Sequence, residues 1–173
     1  MIGAANKLAV TTQPTASTVA GVAFATQPIV TVQDQHGNTV TGDTSTVSLA
    51  LTTGTGVLGG TASMAAVAGV ADFTGKGMNI DLVGANKVLT ASDGGLTTAT
   101  TAAFTITVAA ANKLAVTTEP TASTVAGVAI TTQPIVTIQD AFGNTITTDS
   151  STVVSLALTT GTGTLSGTVT KTA

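Results

Sequence analysis

The sequence predicts an all-β fold built from sandwich-like repeats. Apolar residues alternate with polar or small ones in short runs, as in Val47, Leu49 and Leu51, which is the period of a strand with one buried face. Glycine-containing turn signals separate these runs, and no stretch shows the 3.6-residue period of an amphipathic helix. We therefore expect about seven to nine short strands in a unit of about 100 residues.

The elements follow one another in a regular order along the first unit. The predicted strands contain alternating apolar residues at these positions: Leu8 and Val10; Val30 and Val32; Val47, Leu49 and Leu51; Ile80 and Leu82; Phe104, Ile106 and Val108. The turns that separate them contain these residues: Ala20-Gly21, Gly37-Asn38, Gly54-Thr55-Gly56, Gly59-Gly60, Gly75-Lys76-Gly77 and Asp93-Gly94-Gly95. This many short strands and turns favour a β-sandwich of immunoglobulin-like type.

An internal repeat sets the domain organisation. Residues 6–47 recur at an offset of 106, and residues 47–61 recur at an offset of 107, with about 80% of the positions identical. We predict a complete repeat at 1–108, a short linker at 109–111, and the N-terminal part of a second repeat at 112–173. The 67–108 segment has no counterpart within 112–173. This favours a piece of a longer tandem array, or a chain whose ends are engaged by neighbouring chains.

One inserted residue in the second repeat tests the strand prediction. Val154-Ser155-Leu156 matches Val47-Ser48-Leu49, so the residue added near Val153 changes the offset ahead of this run. A shift of one residue inside a strand would turn its apolar side chains outward. We therefore expect the insertion to be accommodated before the strand, in a longer loop or a bulge.

An ordered set of short motifs covers nearly the whole chain: Leu8-x-Val10-x-x-Gln13-Pro14; Ala20-Gly21-Val22-x-Phe24; Pro28-x-Val30-x-Val32-x-Asp34-x-x-Gly37-Asn38; Val47-x-Leu49-x-Leu51; Gly54-x-Gly56-x-Leu58-x-Gly60-Thr61; Gly69-x-Ala71-x-Phe73; Leu89-Thr90-Ala91. This set resembles the bacterial immunoglobulin-like repeats that occur in tandem in large surface and adhesin-like proteins. The resemblance implies an extracellular structural module. The chain departs from the family at Asn86-Lys87-Val88, where many members carry a tyrosine, so no hydrogen bond of the tyrosine-corner kind is assumed.

Composition excludes several classes of function. Charged residues make up 8% of the chain and arginine is absent, so a basic surface for nucleic acid is not expected. Without Cys, Trp or Tyr and with one His, the chain lacks thiolate chemistry, the usual carbohydrate-stacking side chains and most acid–base capacity. No apolar run reaches the length of a membrane span. We predict no enzyme, no cofactor, and no catalytic or metal-binding residues.

The turns from Asp34 to Asn38 and from Asp140 to Asn144 most resemble a site. Their oxygen atoms could contribute to calcium binding, but a turn stabilised by the aspartate side chain explains the same residues. His36 could be a base or a ligand, yet Phe142 takes its place in the second repeat. We interpret His36 as an exposed turn residue.

Two further groups of residues invite a chemical interpretation. Lys7 and Lys113 could form internal isopeptide bonds, but Glu119 is the only glutamate and Gln13 replaces it in the first repeat, so exposed strand lysines are favoured. The threonine-rich stretch 96–108 could indicate ice binding or O-glycosylation, although strand propensity explains it. The Gly54-x-Gly56 and Gly75-x-Gly77 pairs have no following helix to bind phosphate.

Three functions follow from this sequence as hypotheses. The first is a non-enzymatic spacer or stalk of an extracellular or cell-surface protein, whose partners are neighbouring repeats. The second is a self-assembling filament or sheath subunit, in which strands of another copy complete the partial repeat. The third is an adhesin tip that binds a host or surface ligand, which the absence of Trp and Tyr disfavours.

Overall fold

The computed structural model describes residues 2–173. It contains fifteen strands and no helix over this range, so the prediction of an all-β fold is confirmed. The chain divides into a first unit that ends at Ala109 and a second unit, Ala110–Ala173. The division falls inside the segment 109–111, which the sequence predicts as a linker.

The first unit is built from strands that are mostly two to six residues long. They are β1 (Lys7–Thr12), β2 (Ser17–Val19), β3 (Ile29–Gln33), β4 (Thr46–Thr53), β5 (Leu58–Gly59), β6 (Ser63–Ala65), β7 (Val70–Asp72), β8 (Asn79–Ile80), β9 (Gly84–Ser92), β10 (Ala99–Thr100) and β11 (Phe104–Thr107). Two predicted runs are shorter than expected. Leu82 lies outside β8, and the stretch 96–108 forms only the two strands β10 and β11.

Two main sheets carry the first unit. The smaller has the order β1-β3-β7, and the larger has the order β2-β11-β9-β4-β6 with β10 paired to β9. All pairings in these sheets are antiparallel except that of β2 with β11, which is parallel. A short β5–β8 pair completes the set. A fold of this kind needs its apolar residues to meet between the sheets.

The core of the first unit draws on both sheets. Inward positions of β1, β3, β4, β7, β9 and β11 form one buried cluster together with loop residues such as Phe24 and Met78. Phe24 and Phe104 meet edge to face with their ring centroids 5.3 Å apart. The buried positions alternate along strands such as β4, where Val47 and Leu49 are buried, which is why the period-2 pattern of the sequence located them. The longest strand, β9, was not among the predicted alternating runs, although its Leu89 and Ala91 are buried.

The second unit contains two antiparallel strand pairs that match two pairs of the first unit. They are formed by β12 (Lys113–Thr118) with β13 (Ile135–Gln139), and by β14 (Val153–Ser155) with β15 (Thr170–Thr172). The β12–β13 register equals that of β1–β3 at an offset of 106, including the bulge at its end. The β14–β15 register equals that of β4–β6 at an offset of 107.

The strands missing from the second unit are those whose partners lie in the 67–108 segment. The counterparts of β2 and β5 are not strands, and in the first unit these pair with β11 and β8. The counterpart of β4, an eight-residue strand beside β9, shrinks to three residues. Pairing therefore decides which of two nearly identical sequences forms a strand.

The chain accommodates the insertion between the Asp149 turn and β14, whereas Val153, the extra residue in the sequence comparison, is itself the first residue of β14 and pairs with Thr172. β4 starts three residues after Asp43, and β14 starts four residues after Asp149. Each aspartate side chain accepts a hydrogen bond from the backbone of a serine two residues later, at 2.8 Å in the first unit and 2.9 Å in the second. The insertion thus lengthens the connection between turn and strand, and Val154 keeps the inward position of Val47.

Candidate functional site

The Asp34 turn is closed by hydrogen bonds to a buried carboxylate. Oδ1 accepts from the backbone N–H groups of His36 (2.9 Å) and Asn38 (3.0 Å), and Oδ2 accepts from Gly3 N–H at 2.9 Å. The Asn38 side-chain amide donates to both carboxylate oxygens, at 3.2 and 3.0 Å. These donors, with the Asn38 side chain first, hold the pKa of Asp34 well below its usual range.

The same geometry recurs at Asp140, which is also buried. Its Oδ1 accepts from Phe142 and Asn144 backbone N–H groups at 2.9 Å, and its Oδ2 accepts from the Asn144 side chain at 2.8 Å. In both turns the asparagine points its amide hydrogens, rather than its carbonyl oxygen, at the carboxylate. N–H donors thus contact the carboxylate oxygens in both turns, and these hydrogen bonds order the backbone there.

The other sequence candidates are dispersed. His36 and its counterpart Phe142 are exposed, and His36 Nε2 lies 2.9 Å from Gln35 Nε2. Across residues 2–173 no group of three or more His, Asp or Glu side chains is placed to hold a metal ion. The geometry therefore assigns these residues to turns.

The two strand lysines differ in their surroundings. Lys113 is exposed, as expected, but Lys7 is half-buried, which corrects the expectation for the first unit. Lys7 forms a parallel bridge with Thr97, and the neighbouring Leu8 N–H donates to the Thr97 carbonyl at 2.8 Å. The covering segment belongs to the part of the repeat that the second unit lacks.

A buried lysine was missed by the sequence reasoning. Lys87 on β9 is fully buried, and its Nζ donates to the Thr55 carbonyl oxygen. Burial lowers the pKa of Lys87, and the nearby Asp81 carboxylate opposes that shift. Period 2 counted back from Ala91 and Leu89 points Lys87 inward, so the pattern carried the signal.

The loop that faces Lys87 depends on glycine. A Cβ on Gly54 would lie 2.9 Å from Lys87 Cγ, and the φ of Gly54 is +95°. Asp81 fastens the same region, since its Oδ1 accepts from Val57 N–H at 2.7 Å. The glycine spacing that resembles a phosphate loop therefore serves to admit an ammonium group.

The second unit carries the most unusual surface of the molecule, which we name the open face. It consists of the counterparts of six core-forming residues of the first unit, of which Ile138 is itself buried at 7% exposure: Leu114, Val116, Val136, Ile138, Val154 and Leu156. Leu8 is 4% exposed, whereas its counterpart Leu114 is 53% exposed. Leu49 and Leu156 differ in the same way, at 4% and 37%. In the first unit the same positions are covered by other parts of the core.

A cavity of about 640 Å³ lies along the open face. Its walls include Val136 and Ile138 of β13, Val154 of β14 and Thr170 of β15. In the first unit the corresponding space is filled by side chains of the 67–108 segment, including Phe73 and Leu89. The cavity therefore corresponds to the part of the core that residues 67–108 occupy in the first unit.

Comparison with known proteins adds no assignment to these features. No protein-family model matches the chain, and no curated protein matches it either. Over residues 2–173 the structure has no helix with the length and apolarity that crossing a membrane requires. The features that bear on function are therefore those of the two units themselves.

Proposed function

We propose that this chain is a non-enzymatic structural module that acts as a spacer or stalk in an extracellular or cell-surface protein. The observation that carries the proposal is the placement of the two ends of the first unit. Lys7 lies beside Thr97, just past the Ser92 end of β9, whereas Ile106 pairs with Gly84 at the opposite end of the same strand. The nine residues of β9 are joined by eight steps of about 3.3 Å, so these two levels lie roughly 26 Å apart.

Ends placed in this way let each unit lengthen an array. A chain that enters a unit at one end and leaves at the other adds the length of the strands with every repeat. The near-identity of the two copies supports a repeated spacer over a specialised tip, because a binding site for one ligand has no need of duplicates. The immunoglobulin-like character that the motifs indicate belongs to the same proposal.

The first unit is also arranged to resist a pull along its length. β2 comes early in the sequence of the unit, β11 comes last, and the two strands pair in parallel. Tension on the two ends therefore shears the β2–β11 pair and loads its bonds together, including Thr105 N–H to Ala16 (3.0 Å) and Ala20 N–H to Thr107 (2.9 Å). Sheared bonds must break at the same time, whereas peeled bonds break one after another.

Small-angle scattering on chains with one, two and four extra copies of residues 1–108 tests the spacer function. We expect the maximum dimension to rise by a constant increment of at least about 26 Å per copy. A dimension that grows only as the cube root of mass, as for a compact particle, contradicts the proposal. Pulling single molecules of Thr105→Pro, which lacks one N–H of the shear pair, should lower the unfolding force of the substituted unit.

A second candidate function is assembly into a filament or sheath, and the open face is the observation that favours it. Exposed apolar residues and unpaired strand edges favour association with another chain. Sedimentation velocity over a hundredfold concentration range tests it directly. A monomer at every concentration would remove this candidate and leave the spacer untouched.

A further inference from the structure

We propose that the short linker at residues 109–111 determines which partner the 67–108 segment takes during folding. We call residues 6–66 and 112–173 the two acceptor halves, because they contain nearly the same strands in the same registers. In the structure the segment pairs with the first acceptor half, through β7 with β3 and β9 with β4. The inference concerns folding, so it holds whether or not the chain acts as a spacer.

The apolar core does not distinguish the two acceptor halves. Residues 6–61 contribute seven buried side chains to the core that they share with the segment. Five of the seven are identical in the second half, and the other two remain apolar, with Phe24 replaced by Ile130 and Val32 by Ile138. The first replacement removes volume and the second adds a methylene group, so the total volume changes little. Cores tolerate apolar substitutions that conserve volume in this way.

The polar contacts of the segment have counterparts as well. A backbone N–H of the segment donates to Gln27 Oε1 at 3.1 Å, and Gln133 corresponds to Gln27. The Lys87 ammonium donates to the carbonyl of Thr55, to which Thr162 corresponds. The glycine before each of these threonines has almost the same φ, +95° in the first half and +92° in the second. Side-chain chemistry therefore offers the segment two acceptable partners.

The two acceptor halves differ in how the chain connects them to the segment. In the first unit β6 ends at Ala65 and β7 begins at Val70, so the segment follows its acceptor half through a short loop. Pairing with residues 112–173 would place the segment before its acceptor half. Such a unit is a circular permutant of the first, and its joining loop would run from the end of β11 to the start of β12.

That joining loop would have to span the length of β9. In the first unit β11 pairs with Gly84, the first residue of β9, whereas β1 begins beside Thr97, just past the other end of β9. These levels lie roughly 26 Å apart, and β12 would take the place of β1. From Val108 to Asn112 the chain has four steps, which reach at most about 14 Å. The permuted pairing therefore cannot form.

The length of the linker thus supplies a selectivity that the side chains lack. Repeat proteins characteristically misassemble by exchanging equivalent elements, and nearly identical copies make such exchange easy. Every wrong pairing would leave the preceding acceptor half without a partner. A linker too short for the permuted connection removes this alternative without any change in the core.

Insertions of two lengths test the proposal in the full chain. Two Gly/Ser residues placed between Ala109 and Ala110 give six steps with a reach of about 21 Å, which is still too short. Twelve residues give sixteen steps, a reach of about 56 Å and a root-mean-square span of about 22 Å, close to the distance required. Both chains also carry Leu8→Asp and Val30→Asp, which place carboxylates at buried positions of the first acceptor half.

Hydrogen exchange of β9 reports whether the segment has a partner. With the two-residue insertion we expect β3 and β9 to exchange freely, because the only acceptor half within reach is disrupted. With the twelve-residue insertion we expect β9 and β13 to be at least tenfold more protected than in the shorter chain, while β3 stays unprotected. Such a result means that the segment has moved to the second acceptor half.

A third chain supplies the matched control. It has the twelve-residue insertion and carries Leu114→Asp and Val136→Asp in addition, so β9 should lose its protection again. Protection of β9 at both insertion lengths overturns the proposal, because the linker then excludes nothing. Free exchange of β9 at both lengths also overturns it, because the side chains then distinguish the halves. Protection that rises with protein concentration indicates pairing between chains and overturns it too.

Discussion

The pair Leu8 and Leu114 offers an internal comparison, because one sequence occupies a closed core in one unit and an open face in the other. Leu8→Ala removes a side chain that is 4% exposed and packs in the main core. Such truncations cost about 2–5 kcal/mol. Leu114→Ala removes a side chain that is 53% exposed, so we expect a cost of about 0.5 kcal/mol.

Hydrogen exchange with mass spectrometry reads the two units separately. The chain has no Trp or Tyr to report by fluorescence, but Val32 in β3 and Ile138 in β13 give the equivalent peptides different masses. At 1.4 kcal/mol per factor of ten, Leu8→Ala should lower the protection of β3 by about 30-fold to a few thousandfold. Leu114→Ala should lower that of β13 by about twofold. Equal losses in both units would refute the reasoning, because they would mean that residues 112–173 enclose a core of their own.

Three further predictions concern the buried polar groups and the glycine loop that faces Lys87. Lys87→Met keeps the aliphatic stem but leaves the Thr55 carbonyl without its donor, so the free energy of unfolding measured with denaturant should fall by about 1–3 kcal/mol. If Lys87→Arg keeps the full wild-type stability, that result contradicts the fit of this loop to an ammonium group. Gly54→Ala and Gly161→Ala both place a side chain at positive φ, which should lower the free energy of unfolding by about 1–2 kcal/mol. Only the Gly54→Ala side chain also collides with Lys87, so the melting temperature of that variant should fall further. The folded-state pKa of Asp34 lies below the ordinary 3.8, so its stabilisation is complete above about pH 4 and is lost as the pH falls. The difference in unfolding free energy between the wild type and Asp34→Asn should therefore shrink on acidification, and a difference independent of pH would argue against the hydrogen-bonded carboxylate.

The local pattern located most of the core of the first unit. Alternation placed Val30, Val32, Val47 and Leu49 inward, and all four are buried. It failed where pairing ends early, as at Leu82, and where a polar residue occupies an inward position, as at Lys87. A buried cation is possible there because Gly54 leaves room for the side chain and the Thr55 carbonyl accepts from it. That arrangement depends on residues more than thirty positions away.

By itself the sequence determined that this chain is all-β, that a unit of about 106 residues is written once in full and once in part, and that Asp34 and Asp140 open equivalent turns. These are properties of period, composition and repetition, which are local or can be counted. The tertiary structure decided which copies of the same strand form and which leucines are covered. It decided them because a strand needs a partner and an apolar side chain needs an opposite face, and both come from the 67–108 segment. Residues 112–173 repeat the sequence of the first part of the first unit but contain no copy of that segment, and the open face results from this difference.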